Sequence, residues 1–471
     1  MLDQATQSDK TAGFGPAEAA EMVETLRKTF RSGKTRPLAW RKQQLHAIKR
    51  MIEENEEAFT EAIRKDMGRS AFETTLAETG YLVGEVKYTL KHLDRWAKPK
   101  KVKAPMAAQP GKAYVQHEPL GVVLNIAPWN YPLQLALAPA IGAISAGNCV
   151  VIKPSEISAH TSAAIAEHVP KYLDADAVRV VEGAVPETQA LLEQQWDHIM
   201  YTGNGGVARI IMEAAAKHLT PVTLELGGKS PVVVDRNVDL DVAARRIVWG
   251  KWFNAGQTCL APDYVLVHKD VEQPLLDRLR GTIQEFYGED PKQSSDYPRI
   301  INDRHFERLS GMLSDGEVVA GGQTEAKDRY IAPTVLKDVP EDAKAMQEEI
   351  FGPILPVVSV PDIETAIEKI NSRPKPLGLY VFTKDSAVAD KVLTHTSSGG
   401  ACVNEAMGHF SCPELPFGGV GPSGMGAYHG RHSFETFSHQ KAVLDKKTWF
   451  DPPQRYAPYD EKKLNFIKKM V

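Results

Sequence analysis

Cysteine is scarce in this sequence: Cys149, Cys259, Cys402 and Cys412 are the four among 471 residues. They are widely spaced with no C-x-x-C pair, which excludes a disulfide scaffold and a zinc site, leaves no metal to expect and fits a reducing, cytoplasmic compartment. Basic runs are missing too. The net charge is -4 and no lysine–arginine block stands out, so nothing suggests nucleic acid or an anionic membrane surface as a partner. The N-terminus from Met1 to Phe14 is polar, without the basic-then-apolar layout of a signal peptide. Uninterrupted apolar spans are also lacking. Gly121 to Ile152 carries no charge, but Pro128, Pro132 and Pro139 break it, which reads as strand, turn and buried helix. The end from Glu461 to Val471 is short and lysine-rich, so no membrane anchor is expected.

What is present is the texture of a soluble α/β enzyme, 42% hydrophobic and 25% charged, and long enough for two or three domains. Apolar residues three and four apart predict helices over 17–30, 40–54 and 58–65. From Tyr114 onward, β-branched runs alternate with helical stretches. Val122–Leu124, Cys149–Ile152, Val178–Val181 and His198–Tyr201 are strands of a parallel sheet, which binds ligands at its carboxyl ends. Leu226-Gly227-Gly228-Lys229 marks a boundary. A second series follows through Val232–Val234, a helix from Asp239, Val265–Val267, Leu355–Val360 and Leu379–Phe382. Phe437 to Leu444 is a polar strand suited to interdomain or intersubunit pairing.

The loop Ala255-Gly256-Gln257-Thr258 presents Cys259 after the helix from Asp239. A thiol acts as a nucleophile once deprotonated, so such a role needs a base, dipole or cation nearby; a lone buried cysteine is otherwise ordinary filler. Cys149 and Cys402 read as strand core, and Cys412 as an exposed loop residue. The turn Gly203-Asn204-Gly205-Gly206-Val207-Ala208 matches the dinucleotide fingerprint G-x-G-x-x-[GA] between a strand and a helix. Glu225 stands about twenty residues on, where a ribose ligand belongs. A six-residue glycine match is equally an ordinary strand-to-helix turn, and Glu225 cannot easily serve both ribose and sulfur.

Five motifs then occur in order: Pro128-Trp129-Asn130-Tyr131-Pro132, Lys153-Pro154-Ser155-Glu156, Glu225-Leu226-Gly227-Gly228-Lys229, Gly256-Gln257-Thr258-Cys259 and Glu348-Glu349-Ile350-Phe351-Gly352-Pro353. Together they resemble the aldehyde dehydrogenase superfamily over nearly the whole chain. Tyr201-Thr202-Gly203-Asn204 and Gly424-Met425-Gly426-Ala427-Tyr428-His429-Gly430 resemble its class 3 branch, which handles fatty and aromatic aldehydes and includes coniferyl aldehyde dehydrogenases. The resemblance implies a Rossmann-type cofactor domain with N-terminal helices (1–100 and 118–226), a catalytic α/β domain (227–415) and a small β segment for bridging and oligomerisation (101–117 and 416–471).

It also implies roles. Cys259 is the nucleophile, Glu225, on a glycine-flanked turn, the general base, and Asn130 an oxyanion donor beside the backbone N–H of Cys259. Lys153 and Glu156 hold the adenosine ribose, Trp129, Gly203 and Asn204 lie near the pyrophosphate, and Glu349 and Phe351 position the nicotinamide. Tyr131 and His409, the latter in an Asn404-x(4)-His409 pattern, line the substrate mouth. Gly205 and Ala208 depart from the family's usual threonine and glycine in the phosphate turn. The implied reaction oxidises medium- or long-chain or aromatic aldehydes with NAD+, NADP+ being accepted as well, in a homodimer. Two rivals keep the fold: transfer of the acyl group to coenzyme A, which the glutamate at 225 opposes, and a non-catalytic binding protein, which the intact motifs oppose.

Overall fold

The computed structural model describes residues 13–470; most of the polar N-terminal stretch lies outside the described residues. Helices occupy Pro16–Arg31, Leu38–Glu54, Glu56–Met67 and Gly80–Trp96. The first buries Ala19, Val23 and Leu26 and the second Leu45, Ile48 and Ile52, one apolar face each, as the periodicity requires. The first three run longer than the expected spans. A π-helical turn, Thr75–Thr79, precedes the last.

The strands are β1 (Lys100–Val102), β2 (Gly111–Pro119), β3 (Val122–Ile126), β4 (Cys149–Lys153), β5 (Val178–Val180), β6 (His198–Thr202), β7 (Val222–Glu225), β8 (Pro231–Val234) and β9 (Tyr264–His268). They continue with β10 (Glu317–Ala320), the short pair β11 (Thr324–Glu325) and β12 (Tyr330–Ile331), then β13 (Thr334–Lys337), β14 (Ile354–Val360), β15 (Gly378–Phe382), β16 (Gly400–Val403), β17 (Gly424–Met425) and β18 (Ser438–Lys446).

Three main sheets result. The first runs β17-β7-β6-β3-β4-β5, parallel except for β17. The charge-free run resolves into β3, the helix Pro132–Ala146 with every residue buried, and β4; it is core. From β3 the chain winds outward through β4 to β5, then returns on the other side through β6 to β7. The crevice between the ends of β3 and β6 is therefore a topological switch point, where open α/β sheets bind ligands. The second sheet runs β10-β13-β14-β9-β8-β15-β16, parallel except for β10. The third, β1-β2-β18, is antiparallel, with β18 paired along its full length to β2.

Two expectations change. Glu225 is not on a turn: it is the last residue of β7, opposite Thr202 and Gly424. Cys402 is not core. It lies half-buried on the edge strand β16, its sulfur 3.2 Å from Nδ1 of His409. Among the described residues no helix is long and apolar enough to cross a membrane, and no group of three or more His, Cys, Asp or Glu residues could hold a metal ion.

Candidate active site

The first sheet puts four loops at one edge. Trp129 and Asn130 follow β3, Lys153 ends β4, Gly203 follows β6 and Glu225 ends β7. The helix Leu240–Trp252 of the second unit, its N-terminus capped by the Asp239 carboxylate at Val242, delivers the cysteine loop to the same place.

That loop is tightly bent. Asn254, Ala255 and Gly256 are successively left-handed, with φ of 55°, 50° and 75°. Only glycine fits the third position, because a Cβ there would strike the carbonyl of Gly352. Gln257, fully buried, ties the bend down: Nε2 donates to the carbonyls of Asn254 (3.2 Å) and Arg299 (3.0 Å), and Oε1 accepts from the N–H of Ile301 at 3.0 Å.

The loop after β3 is laced to it. Asn130 donates from Nδ2 to the carbonyl of Gln257 at 3.1 Å. An amide nitrogen carries two N–H groups, so one such bond leaves a second donor. Tyr131 and Thr258 join hydroxyl to hydroxyl at 2.6 Å. Asn254 donates from Nδ2 to the carbonyls of Asn130 (3.0 Å) and Gln257 (3.1 Å).

Cys259 is half-buried, and its own backbone N–H and that of Leu260 favour the thiolate. Burial, and then the negative charges of Glu349 and Glu225, push its thiol up to about 12, so both carboxyl groups lie within electrostatic reach of the sulfur. Glu225 is 2% exposed, and neither carboxyl oxygen has a partner among the described residues. Burial alone raises it well above the usual carboxylate range. Burial of this kind favours the protonated form and readies the group for proton exchange. Glu349 rests against Gly227, where any Cβ would collide with its carboxylate, and accepts from the N–H of Gly228; burial pushes it up to about 8.

The expected cofactor residues form the adjoining part of the cleft. Lys153, buried at the end of β4, donates from Nζ to Glu156 Oε2 at 3.0 Å and to the Pro154 carbonyl at 2.9 Å. The N–H of Gly203 bonds the carbonyl of Glu225 at 3.0 Å, joining the glycine turn to the carboxylate's strand. Asn204 caps the helix Gly205–Ala216 through the N–H of Val207 at 3.0 Å. Ala208 is buried and Gly205 is open, so the family departures leave the turn intact. Trp129 and Phe351 meet edge to face at 5.4 Å, and His305 lies 5.2 Å from Trp129. A charged pair at the end of β4, a glycine turn opening a helix after β6, and the half-buried rings of Trp129 and Phe351 fit a dinucleotide.

His409 lies one ring farther out. Its centroid is 6.3 Å from Tyr380, whose hydroxyl donates to the Leu260 carbonyl at 2.6 Å. Burial lowers its imidazole to about 4, which keeps it neutral. Tyr428 was not singled out in the sequence, yet it is fully buried with the charges of Glu225 and Cys259 both bearing on it. Arg69, Glu78 and Asn254 were also missed. Asn254 was within reach, since it sits inside the cysteine motif; a lone arginine after a helix carries no such signal.

The comparisons follow this geometry. The model described as "Aldehyde dehydrogenase family" matches residues 4–443. Aldehyde dehydrogenase family 3 member A2 of Rattus norvegicus is 50% identical over 448 residues, covering 95% of this chain and 93% of its own length. Aldehyde dehydrogenase, dimeric NADP-preferring, of the same organism is 50% identical over 427 residues, 91% of this chain and 94% of its own. Among solved structures, the substrate-bound state of Staphylococcus aureus AldH superposes with a TM-score of 0.93 at 42% identity, covering 95% of this chain and 98% of that one. P. syringae AldA indole-3-acetaldehyde dehydrogenase, in complex with NAD+ and IAA, gives 0.84 at 27% identity, covering 92% and 90%.

Proposed function

This chain belongs to the aldehyde dehydrogenase family, and from that premise we propose that it oxidises medium- or long-chain aliphatic or aromatic aldehydes to carboxylic acids, with Cys259 as nucleophile, Glu225 as general base and Asn130 as oxyanion donor. The observation that carries the assignment is the convergence of Glu225, Glu349 and the Asn130 loop on one half-buried sulfur.

The residues' chemistry follows. Cys259 gives up its thiol proton to solvent and adds through sulfur to the aldehyde carbon, and the new oxyanion takes the second N–H of Asn130 and the backbone N–H of Cys259. Losing one such donor costs about 10²–10³ in rate. When bound, a nicotinamide dinucleotide supplies the hydride acceptor, and the adduct collapses to a thioester on Cys259. Glu225, acting as its carboxylate, then takes the proton of the attacking water, and the carboxylate product leaves as the thiol re-forms. Tyr131 and His409 border the path to the sulfur.

Lys153 and Glu156 would hold the adenosine ribose, Trp129, Gly203 and Asn204 would border the pyrophosphate, and Glu349 and Phe351 would hold the nicotinamide end. Glu156 opposes a 2′-phosphate, which favours NAD+ over NADP+. The cofactor domain would comprise 1–100 and 118–226, the catalytic domain 227–415, and the bridging segment 101–117 with 416–471, whose β18 edge would join two copies. A glutamate at 225 whose charge bears on the sulfur supports hydrolysis over acyl transfer to coenzyme A.

The test is a panel of aldehydes graded by chain length and aromaticity, run with each dinucleotide and with or without coenzyme A. Cys259→Ala should abolish NADH formation. Glu225→Gln should keep a single-turnover burst of NADH and lose at least about tenfold in steady state. Undiminished turnover in either variant, or an acyl-coenzyme A product, refutes the proposal.

A further inference from the structure

Arg69 lies directly after Gly68, the left-handed residue that ends the helix Glu56–Met67, and it is completely buried. Its guanidinium faces the loop before the helix Pro132–Ala146 and the bend before Cys259. Nη1 pairs with Glu78, itself completely buried in the π-helical turn. Nη2 donates to the carbonyl of Asn130, and also lies 3.0 Å from the Met67 sulfur. Nε donates to Asn254 Oδ1 at 3.2 Å. The plane of the cation lies over the Tyr131 ring, 4.7 Å from its centroid.

Glu78 completes the clamp. Its other oxygen accepts the N–H of Leu133 (2.8 Å) and of Gln134 (3.0 Å), in the first turn of the helix that follows Asn130. Asn254, held by Arg69, donates to the same Asn130 carbonyl at 3.0 Å and to the Gln257 carbonyl at 3.1 Å. One ion pair thus fixes Asn130 from its carbonyl side and from the helix beyond, while gripping the cysteine loop through Asn254.

Stability is a poor reason for such a pair. Removing two charges from water costs about what their attraction returns, and packed apolar side chains of similar volume often do as well or better. A guanidinium does offer what they cannot: a planar set of donors that reaches several acceptors in fixed directions. We propose that Arg69, braced by Glu78, is a positioning residue for the reaction, holding the Asn130 amide in register with Cys259. The inference rests on the oxyanion role given to Asn130 above.

The experiment is a double-mutant cycle in the full-length enzyme, reading kcat, KM for NAD+ and thermal unfolding. Arg69→Lys keeps the charge and loses the fork. It should lower kcat roughly 30- to 100-fold, part or most of what one lost oxyanion donor costs, while KM for NAD+ stays within about twofold. In an Asn130→Ala background the same substitution should change kcat by no more than about twofold, because the group it positions is gone. A role in structure alone would multiply the two losses, and that result overturns the inference. So does a normal Arg69→Lys beside a crippled Asn130→Ala. An Asn130→Ala enzyme with wild-type kcat instead overturns the oxyanion reading, and this inference falls with it. Should Arg69→Lys fail to fold, Asn254→Gly carries the cycle, since glycine suits its left-handed backbone and removes the bridge to Asn130. It should lower kcat about tenfold alone and not at all with Asn130→Ala; multiplied losses overturn the inference here too.

Discussion

Around Cys259 the nearest charges are acids. Burial raises the thiol, Glu349 and Glu225 raise it further, and their own carboxyl groups are raised by the same dry surroundings. At neutral pH the thiol and Glu349 hold their protons. A sulfur that acts deprotonated and is pushed up to about 12 should leave kcat/KM still climbing with pH through the alkaline range. The sign for one neighbour is separable. Glu349 ionises near pH 8, and its charge then holds the thiol protonated. Glu349→Gln should therefore leave the alkylation rate of Cys259 by iodoacetamide almost unchanged at pH 7 and raise it roughly three- to tenfold at pH 9, up to one unit of thiol pKa. Equal rates at pH 9 would mean that the Glu349 carboxylate does not act on the sulfur. Cys259, Glu225 and Asn130 could be picked out before any fold was known because each sits in a short motif that resembles those of the aldehyde dehydrogenase family. Arg69 could not. Its burial depends on Asn130 and Asn254, which are close to it only after folding.

The element that places the sulfur is a bend of three left-handed residues, two of which are not glycine. Each such residue costs on the order of 1–2 kcal/mol, so the bend must be held, and the Gln257 side chain holds it with three buried bonds. Gln257→Ala leaves those groups unsatisfied at about 1–3 kcal/mol for each one that finds no new partner. Its thermal midpoint should fall by several degrees, and kcat should fall as the sulfur drifts from Asn130; an unchanged midpoint would show that the bend stands without the side chain. The parallel strands were legible because both of their faces are buried, which turns them into runs of valine and isoleucine. The stretch from Glu272 to Ile331 was not read. Its strands are two to four residues long, and β10 is exposed enough to lack an apolar signature. Glu225 was assigned to a turn because the glycines after it mask the end of a short strand.

Across the whole molecule the third sheet is the place where a second copy can add. Within the chain β18 has β2 on one side only, and its Leu444 is 55% exposed. A nine-residue edge with an exposed leucine invites pairing. Sedimentation should give a dimer at micromolar concentration, and Leu444→Asp should shift it toward monomer; a monomeric wild type would remove the proposed interface.

The two-residue strand β17 has another kind of consequence. It comes from the far end of the chain, yet it covers the outer side of β7 opposite Glu225 itself. On the ribosome the first sheet therefore emerges with that flank bare, and it stays bare until Gly424 and Met425 have been translated. The amino-terminal half, expressed as a fragment, would carry an open strand at Glu225, the proposed base, and would aggregate sooner than fold.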